Sequence, residues 1–264
     1  AVLQILEKLI KQRRESASQV AAGGRPELEA KELGEIALLQ AYLPAALSPD
    51  ARRPLRRRHP AAAQPWRAPQ PLPARAAVFT SLPDAVELPR SARPGWEAWF
   101  VDAATAVLRA TPDDGAALFF QTDVKRDGRW IDKAFLVQLA ARDVGVPLVW
   151  HKVVCRAPAG QATFGRVGFA HLLCFGRALR DPVEAATPDV LPELGAMPWP
   201  RAMGLAAARF AVDWLCRMAQ PSCLVDPFCG VGTALAVANA RGLDAIGVEK
   251  NPGRAEQARS LAAT

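Results

Sequence analysis

The sequence predicts an α/β chain, with a mostly parallel sheet that carries a terminal antiparallel hairpin and is preceded by a helical hairpin. Three observations carry this. From Ala76 onward, short apolar runs alternate with helix-length amphipathic stretches. A buried run, Cys223 to Val225, leads directly into a glycine turn and a helix. Before Pro44, by contrast, apolar residues recur only at helical spacing.

The elements follow in order. Leu3, Leu6 and Ile10 mark a first helix that Gly23-Gly24 ends; Pro26, Glu27 and Glu29 open a second, striped by Leu33, Ile36, Leu39 and Leu43 and closed by Pro44. Two helices of this length bury too little surface to stand as a robust domain. After the next segment come a strand over Ala76 to Thr80, a helix over Trp96 to Arg109, a strand over Ala116 to Gln121 and a helix over Ile131 to Ala141. Val146 to Cys155 and Phe169 to Phe175 leave no room for a helix between them, so they pair as an antiparallel hairpin. A helix over Met203 to Met218, a strand over Cys223 to Val225, a helix over Gly232 to Arg241, a strand over Ala245 to Val248 and a helix over Pro252 to Ala262 complete the series.

Residues 51–75 separate the two parts. They hold seven arginines, six prolines, six alanines and no acid, a composition that cannot bury enough surface to offset chain entropy. Removing those seven from the 33 basic residues leaves 26 against 26 acidic, so the net charge of +7 sits entirely in this linker. Arg56, Arg57 and Arg58 are candidate phosphate contacts, since such a run attracts polyanions through counterion release; a solvated arm without a partner is the plainer reading. The chain thus divides into a helical segment at 1–50, a basic linker at 51–75 and an α/β domain at 76–264.

Composition excludes several classes. Half of the 264 residues are apolar and 22% are charged, which rules out disorder throughout. Arg209 and Asp213 break the longest apolar stretch, so no membrane span is expected. The five cysteines form no Cys-x-x-Cys pair, which favours neither a disulfide framework nor zinc and points to a soluble intracellular protein.

The sharpest chemistry lies in Val225-Asp226-Pro227-Phe228-Cys229-Gly230-Val231-Gly232-Thr233. A strand that runs into a turn and a helix aims backbone amides and the positive helix end at whatever lies above. Gly230 and Gly232 leave room for a ligand to approach the backbone. Glu249 ends the next strand 23 residues after Asp226, a spacing that suits an acid accepting from both hydroxyls of a ribose. A dinucleotide site is disfavoured because Pro227-Phe228-Cys229 stands where glycine spacing would admit a pyrophosphate.

Two resemblances give these motifs a context. Lys11-Gln12-Arg13-Arg14-Glu15-Ser16, Ala22-Gly23-Gly24-Arg25-Pro26-Glu27-Leu28, Lys31-Glu32, Glu35-Ile36 and Ala41-Tyr42-Leu43-Pro44 resemble part of the GatB/YqeY domain family, helical domains related to the tRNA-touching tail of the tRNA-dependent amidotransferase. That resemblance implies tRNA, and an amidotransferase-type protein, as partners. Residues 76–264 resemble class I S-adenosylmethionine-dependent methyltransferases, and more narrowly the circularly permuted DNA and RNA amino-methyltransferases, through Asp226-Pro227-Phe228-Cys229-Gly230, Gly232-Thr233 and Ile246-Gly247-Val248-Glu249. The implied fold is a Rossmann-like sheet in permuted order and the implied cofactor is S-adenosyl-L-methionine, held by Asp226, Pro227, Phe228, Gly230, Gly232 and Thr233 on its methionine side and by Glu249 at the ribose. Members of that family continue beyond the helix at Pro252 into a further strand.

In permuted members the catalytic tetrapeptide precedes the cofactor motif, as Ser81-Leu82-Pro83-Asp84 does here. The family pattern is Asp, Asn or Ser, then two prolines, then an aromatic residue that stacks on the base. Ser81 and Pro83 match it; Leu82 and Asp84 depart from it, so stacking by that position is lost. Ser81, Pro83 and Asp84 are the expected catalytic residues, with Asp84 either a general base or a turn cap. Gln121 and Asp123, which end the following strand, should line the same crevice and bind substrate. His151 and His171 read as satisfied sheet residues, Trp199 as a wall of the cofactor pocket or a buried anchor, and Cys229 as no nucleophile. The function expected is a nucleic-acid methyltransferase, most plausibly acting on tRNA; the alternative is a noncatalytic tRNA-binding or amidotransferase-associated adaptor with a degenerate methyltransferase fold.

Overall fold

The computed structural model describes residues 71–165 and 167–262, and, nearer the N-terminus, residues 13, 16–18, 20–21, 27–30 and 32–34. The chain divides into two compact units, Ala1–Pro54 and Leu55–Thr264. In the first, residues 16–18, 20–21, 27–30 and 32–34 are helical and Ala17 is buried. Arg13 Nη1 donates to both carboxylate oxygens of Glu32, at 3.2 and 3.1 Å, which ties the stretch on one side of Gly23-Gly24 to the stretch on the other. Most of the linker, including Arg56, Arg57 and Arg58, lies outside the described residues. Its last residues already belong to the second unit: Leu72 packs on the core, and the Arg75 amide donates to Asp114 Oδ1 at 2.9 Å.

The second unit begins with β1 (Ala77–Thr80), α1 (Trp96–Ala110) and β2 (Ala116–Gln121). A small hairpin, β3 (Val124–Arg126) with β4 (Arg129–Ile131), precedes α2 (Lys133–Asp143). Then come β5 (Leu148–Cys155), β6 (Phe169–Phe175), β7 (Val190–Leu191), α3 (Leu205–Met218), β8 (Leu224–Asp226), α4 (Thr233–Ala240), β9 (Ala245–Gly247) and α5 (Pro252–Ser260). The seven-stranded sheet has the order β7-β5-β6-β2-β1-β8-β9, and β6 alone runs against the others.

Successive strand residues point to opposite faces, and both faces are buried. Phe79, Leu118 and Leu172 join a core with Ala207, Ala211, Leu215 and Leu235 of α3 and α4. Val78, Phe119 and Leu173 join a second core with Trp96, Phe100, Val107 and Val137 of α1 and α2. Continuous apolar strands are what such double coverage requires.

The expected alternation and the antiparallel pair are present, with three corrections. The helix expected from Ile131 starts at Lys133, because Ile131 belongs to β4 and Asp132 caps the helix by accepting from the Phe135 amide at 2.8 Å. The helix expected from Met203 starts at Leu205, since Gly204 is extended and packed so closely on Leu194 that a Cβ would lie 2.1 Å from the Leu194 carbonyl oxygen. The hairpin β5–β6 is not the rim of the sheet, because β7 adds to β5 in parallel through Val153 and Val154.

Candidate active site

At the centre of the sheet β1 and β8 lie side by side, in the register Ala77 to Leu224 and Val78 to Val225. The chain leaves β1 toward β2 on one side and leaves β8 toward β9 on the other, so the carboxyl ends of β1 and β8 frame a switch point, where ligands of open α/β sheets gather. Thr80 ends β1 and Asp226 ends β8; both are buried, and the Thr80 hydroxyl donates to Asp226 Oδ1 at 2.6 Å. The Phe228 amide donates to the same oxygen at 3.1 Å. Burial, with a contribution from the Glu249 charge, pushes the Asp226 carboxyl up to about 7 despite those two donors.

The turn after Asp226 closes through Gly232 N to the Cys229 carbonyl at 2.7 Å and is strapped to the next strand by Cys229 N to the Val248 carbonyl at 3.1 Å. Gly230 and Gly232 have φ of 54° and 82°, the left-handed region that disfavours other residues. Their surroundings differ. A Cβ at Gly230 would meet nothing within 4 Å, which leaves the space above the turn open. One at Gly232 would lie 2.8 Å from the Ala258 Cβ, so the packing of α5 also requires glycine at this position. Pro227 is buried and Phe228 half-buried, with its ring edge-on to Trp99 at 6.1 Å. Cys229 is buried, and burial with the Asp226 and Glu249 charges raises its thiol, which keeps it protonated and inert.

Two groups around the turn suit a polar ligand. The Thr233 hydroxyl, at the start of α4, is buried and has no hydrogen-bond partner among the described residues. Glu249, half-buried past the end of β9, accepts from the Asn251 amide at 2.7 Å through one oxygen. A strand end, an uncovered glycine, an unpartnered hydroxyl and two acids fit a ligand with a cationic and a hydroxylated part.

The segment after β1 supplies the opposite wall. Ser81 is half-buried, Leu82 is buried in the core, and the Pro83 carbonyl accepts from Trp96 Nε1 at 3.0 Å. Asp84 precedes a single 3-10 turn, Ala85–Glu87; its amide donates to Glu87 at 2.9 Å and its carboxylate pairs with the buried Lys133 ammonium at 2.5 Å. Lys250 Nζ reaches the Glu87 carbonyl at 3.1 Å, which fastens this segment to the far side of the Asp226–Thr233 turn. The structure therefore brings Ser81, Pro83 and Asp84 to the same edge as Asp226 and Glu249.

Gln121 and Asp123 differ in their engagement. Gln121 ends β2, fully buried, and neither its amide nitrogen nor its oxygen has a partner among the described residues. Asp123 accepts from the Lys133 amide, Trp130 Nε1 and His171 Nε2, at 2.8, 2.8 and 2.9 Å. Burial opposes its ionisation, but these bonds outweigh burial and hold it below the ordinary carboxylate range. His171 Nδ1 and His151 Nε2 share a bond of 2.9 Å, so the histidines are bonded sheet residues in a chain ending on Asp123. Trp199 is 45% exposed and is not a buried anchor.

Lys133, Trp130 and Thr80 are polar residues of the site that sequence reasoning missed. Asp127-Gly128 was the available signal for the first two: it is a two-residue turn with φ of 50° and 73°, which folds the chain back so that Trp130 Nε1 and the Lys133 amide reach Asp123.

Residues 1–55 match the family model described as "Yqey-like protein". No curated protein matches the chain. Among solved structures, the chain is similar to a protein provisionally named a DNA modification methylase, from Thermus thermophilus and complexed with S-adenosyl-L-methionine, at 21% identity over 72% of this chain and 86% of that one, with a TM-score of 0.52. It is also similar to the PvuII DNA methyltransferase, described as cytosine-N4-specific, at 16% identity over 70% and 78% of the two chains, with a TM-score of 0.56. The second unit has the fold of these methyltransferases.

Proposed function

We propose that the chain is an S-adenosylmethionine-dependent methyltransferase acting on a nucleic acid, with tRNA the favoured substrate. The observation that carries the proposal is the juxtaposition of the Asp226–Thr233 turn and the Ser81–Asp84 segment across the β1–β8 switch point. S-adenosylmethionine, when bound, supplies a methyl group on a sulfonium, and the fold relatives of this chain include one complexed with that molecule. In this reading Asp226, Pro227, Phe228, Gly230 and Thr233 hold the methionine part, Gly232 shapes the turn, and Glu249 holds the ribose. A carboxyl at the ordinary-to-neutral border suits a cationic ligand group, which would draw off its proton.

Ser81 and Pro83 position the acceptor, and Asp84, steadied by Lys133, takes its proton. Gln121 binds the substrate, since a buried amide left unpaired costs about 1 to 3 kcal/mol that a ligand's edge would recover. Asp123 acts on substrate only through the residues it holds. The tRNA preference is supported by the Yqey-like N-terminal match and by the arginines of the linker.

Calorimetry with S-adenosylhomocysteine tests the cofactor site: Glu249→Ala should weaken binding about 10- to 100-fold by removing charge-assisted hydrogen bonds. Unchanged binding would sink that assignment. Mass spectrometry of nucleosides from RNA and DNA treated with the protein and cofactor then reads the substrate.

A second reading, a noncatalytic adaptor, is favoured by one observation. The Pro83 carbonyl and the Asp84 carboxylate are both engaged internally, by Trp96 and Lys133. Cofactor binding without any methylated nucleoside would select it.

A further inference from the structure

The carboxyl edge carries a second feature that the cofactor and transfer segments do not use. Gln121, His171 and Val153 stand in one row across β2, β6 and β5, so the β3–β4 hairpin and the connection from Cys155 to Phe169 both emerge on the edge where Asp84 lies. The two are joined: Trp130 of β4 stacks on Phe169 with centroids 6.2 Å apart and planes 23° from parallel. Trp130 is nonetheless 47% exposed, and Lys125 places its ammonium 5.0 Å from the ring centroid. In the connection, Phe164 is 97% exposed, the most exposed large apolar side chain of the described residues.

Charge on these two elements is one-sided. The hairpin bears Lys125, Arg126 and Arg129 against Asp127, and the connection from Cys155 to Phe169 bears Arg156 and Arg166 with no acid. Arg126 is partly neutralised by Glu97 at 3.4 Å, but Lys125 and Arg129 are exposed. An uncovered Phe164 and a half-exposed Trp130 beside Lys125, on elements of one-sided charge, suit a polyanion that carries flat apolar faces. Duplexes hide those faces, whereas folded RNA displays them in its unpaired loops.

We propose that the β3–β4 hairpin and the Cys155–Phe169 connection form a grip for an unpaired stretch of RNA, with Phe164 and Trp130 as stacking faces and Lys125 and Arg129 at the phosphates. The inference rests on the reading of the chain as a nucleic-acid methyltransferase, and it adds the surface that selects unpaired RNA and leads it toward Asp84. Asp123 is a positioning residue for the grip, since it holds the Trp130 indole N–H from below.

The test measures fluorescence anisotropy of the full chain with a labelled unpaired oligoribonucleotide, with the duplex it forms with its complement, and with the DNA strand of the same sequence. The unpaired RNA should bind most tightly. Phe164→Ala should weaken that binding about 5- to 150-fold, the range for removal of one base–aromatic stack, while Phe164→Tyr keeps it. Phe164 makes no buried contact, so its variants should keep the wild-type melting temperature and affinity for S-adenosylhomocysteine. Replacing Lys125 and Arg129 by Ser should flatten the dependence of log affinity on log salt by about 0.7 for each phosphate no longer neutralised.

Equal binding of strand and duplex, tighter binding of the DNA strand, no binding of RNA, or wild-type binding by Phe164→Ala would each overturn the grip. If RNA is methylated while Phe164→Ala binds as wild type does, only the grip falls. If S-adenosylhomocysteine binds and no nucleic acid is either bound or methylated, the functional reading falls as well.

Discussion

Thr80 and Asp226, 146 positions apart in sequence, share a 2.6 Å hydrogen bond that closes the seam between β1 and β8. The bond sits under the candidate active site and joins the strand that leads to Ser81–Asp84 to the strand that leads to the Asp226–Thr233 turn. Its acceptor is a buried carboxyl whose ionisation the fold opposes, and this gives the seam a pH dependence.

Folded Asp226 keeps a proton to about pH 7, whereas an unfolded Asp loses it near pH 4. The folded state therefore binds more protons between those limits, and stability should fall as pH rises through them, by on the order of 4 kcal/mol at most. Denaturant unfolding at several pH values should show this decline in the wild type and a flatter profile in Asp226→Asn. Parallel profiles would mean that Asp226 ionises at its ordinary pH. If the ligand is cationic, affinity for S-adenosylmethionine should rise between about pH 6 and 8, with proton release detectable by calorimetry in buffers of different ionisation enthalpy.

Removing the carboxylate of Asp123 strands three donors at once: Lys133 N, Trp130 Nε1 and His171 Nε2. Asp123→Ala should cost about 3 kcal/mol or more in urea unfolding. Asp123→Asn, which keeps one acceptor oxygen, should cost less. Equal and small losses would mean that water replaces the carboxylate without penalty.

Asp84→Asn separates a base from a cap. As the proton acceptor, Asp84 should contribute about 100- to 10,000-fold to single-turnover methyl transfer with cofactor affinity close to wild type, while loss of the charge that pairs the buried Lys133 lowers the melting temperature. A wild-type rate would leave Asp84 as the cap of Ala85–Glu87 and the partner of Lys133.

Replacement of Arg56, Arg57 and Arg58 by Ser should reduce the salt slope of RNA binding by about 0.7 to 0.9 for every phosphate that the arginines had neutralised. An unchanged slope would make residues 51–70 a spacer.

The sequence was most legible where one residue type has one physical use. The Asp226–Thr233 turn follows from glycines between a buried strand and a helix, and the pairing of β5 with β6 follows from the lack of room for a crossover helix. At Gly232 the sequence disclosed only part of the reason for glycine, because the 2.8 Å approach of Ala258 to a Cβ there depends on how α5 packs. Lys133 was missed because a lysine at a helix start gives no sign that it is buried; that depends on Asp84, 49 positions away. The His151–His171–Asp123 chain depends likewise on the register of two strand pairs.

The β1–β8 seam has one more consequence. Everything from β1 to β7 lies on one side of it in the chain and everything from α3 to α5 on the other, so the half that would hold the target and the half that would hold the cofactor are each one uninterrupted length of polypeptide. A break between Leu191 and Leu205 cuts no strand and no helix. Two polypeptides divided there would each carry half of the site, and neither would have a complete one until the short pairing of Ala77 and Val78 with Leu224 and Val225 had formed between them.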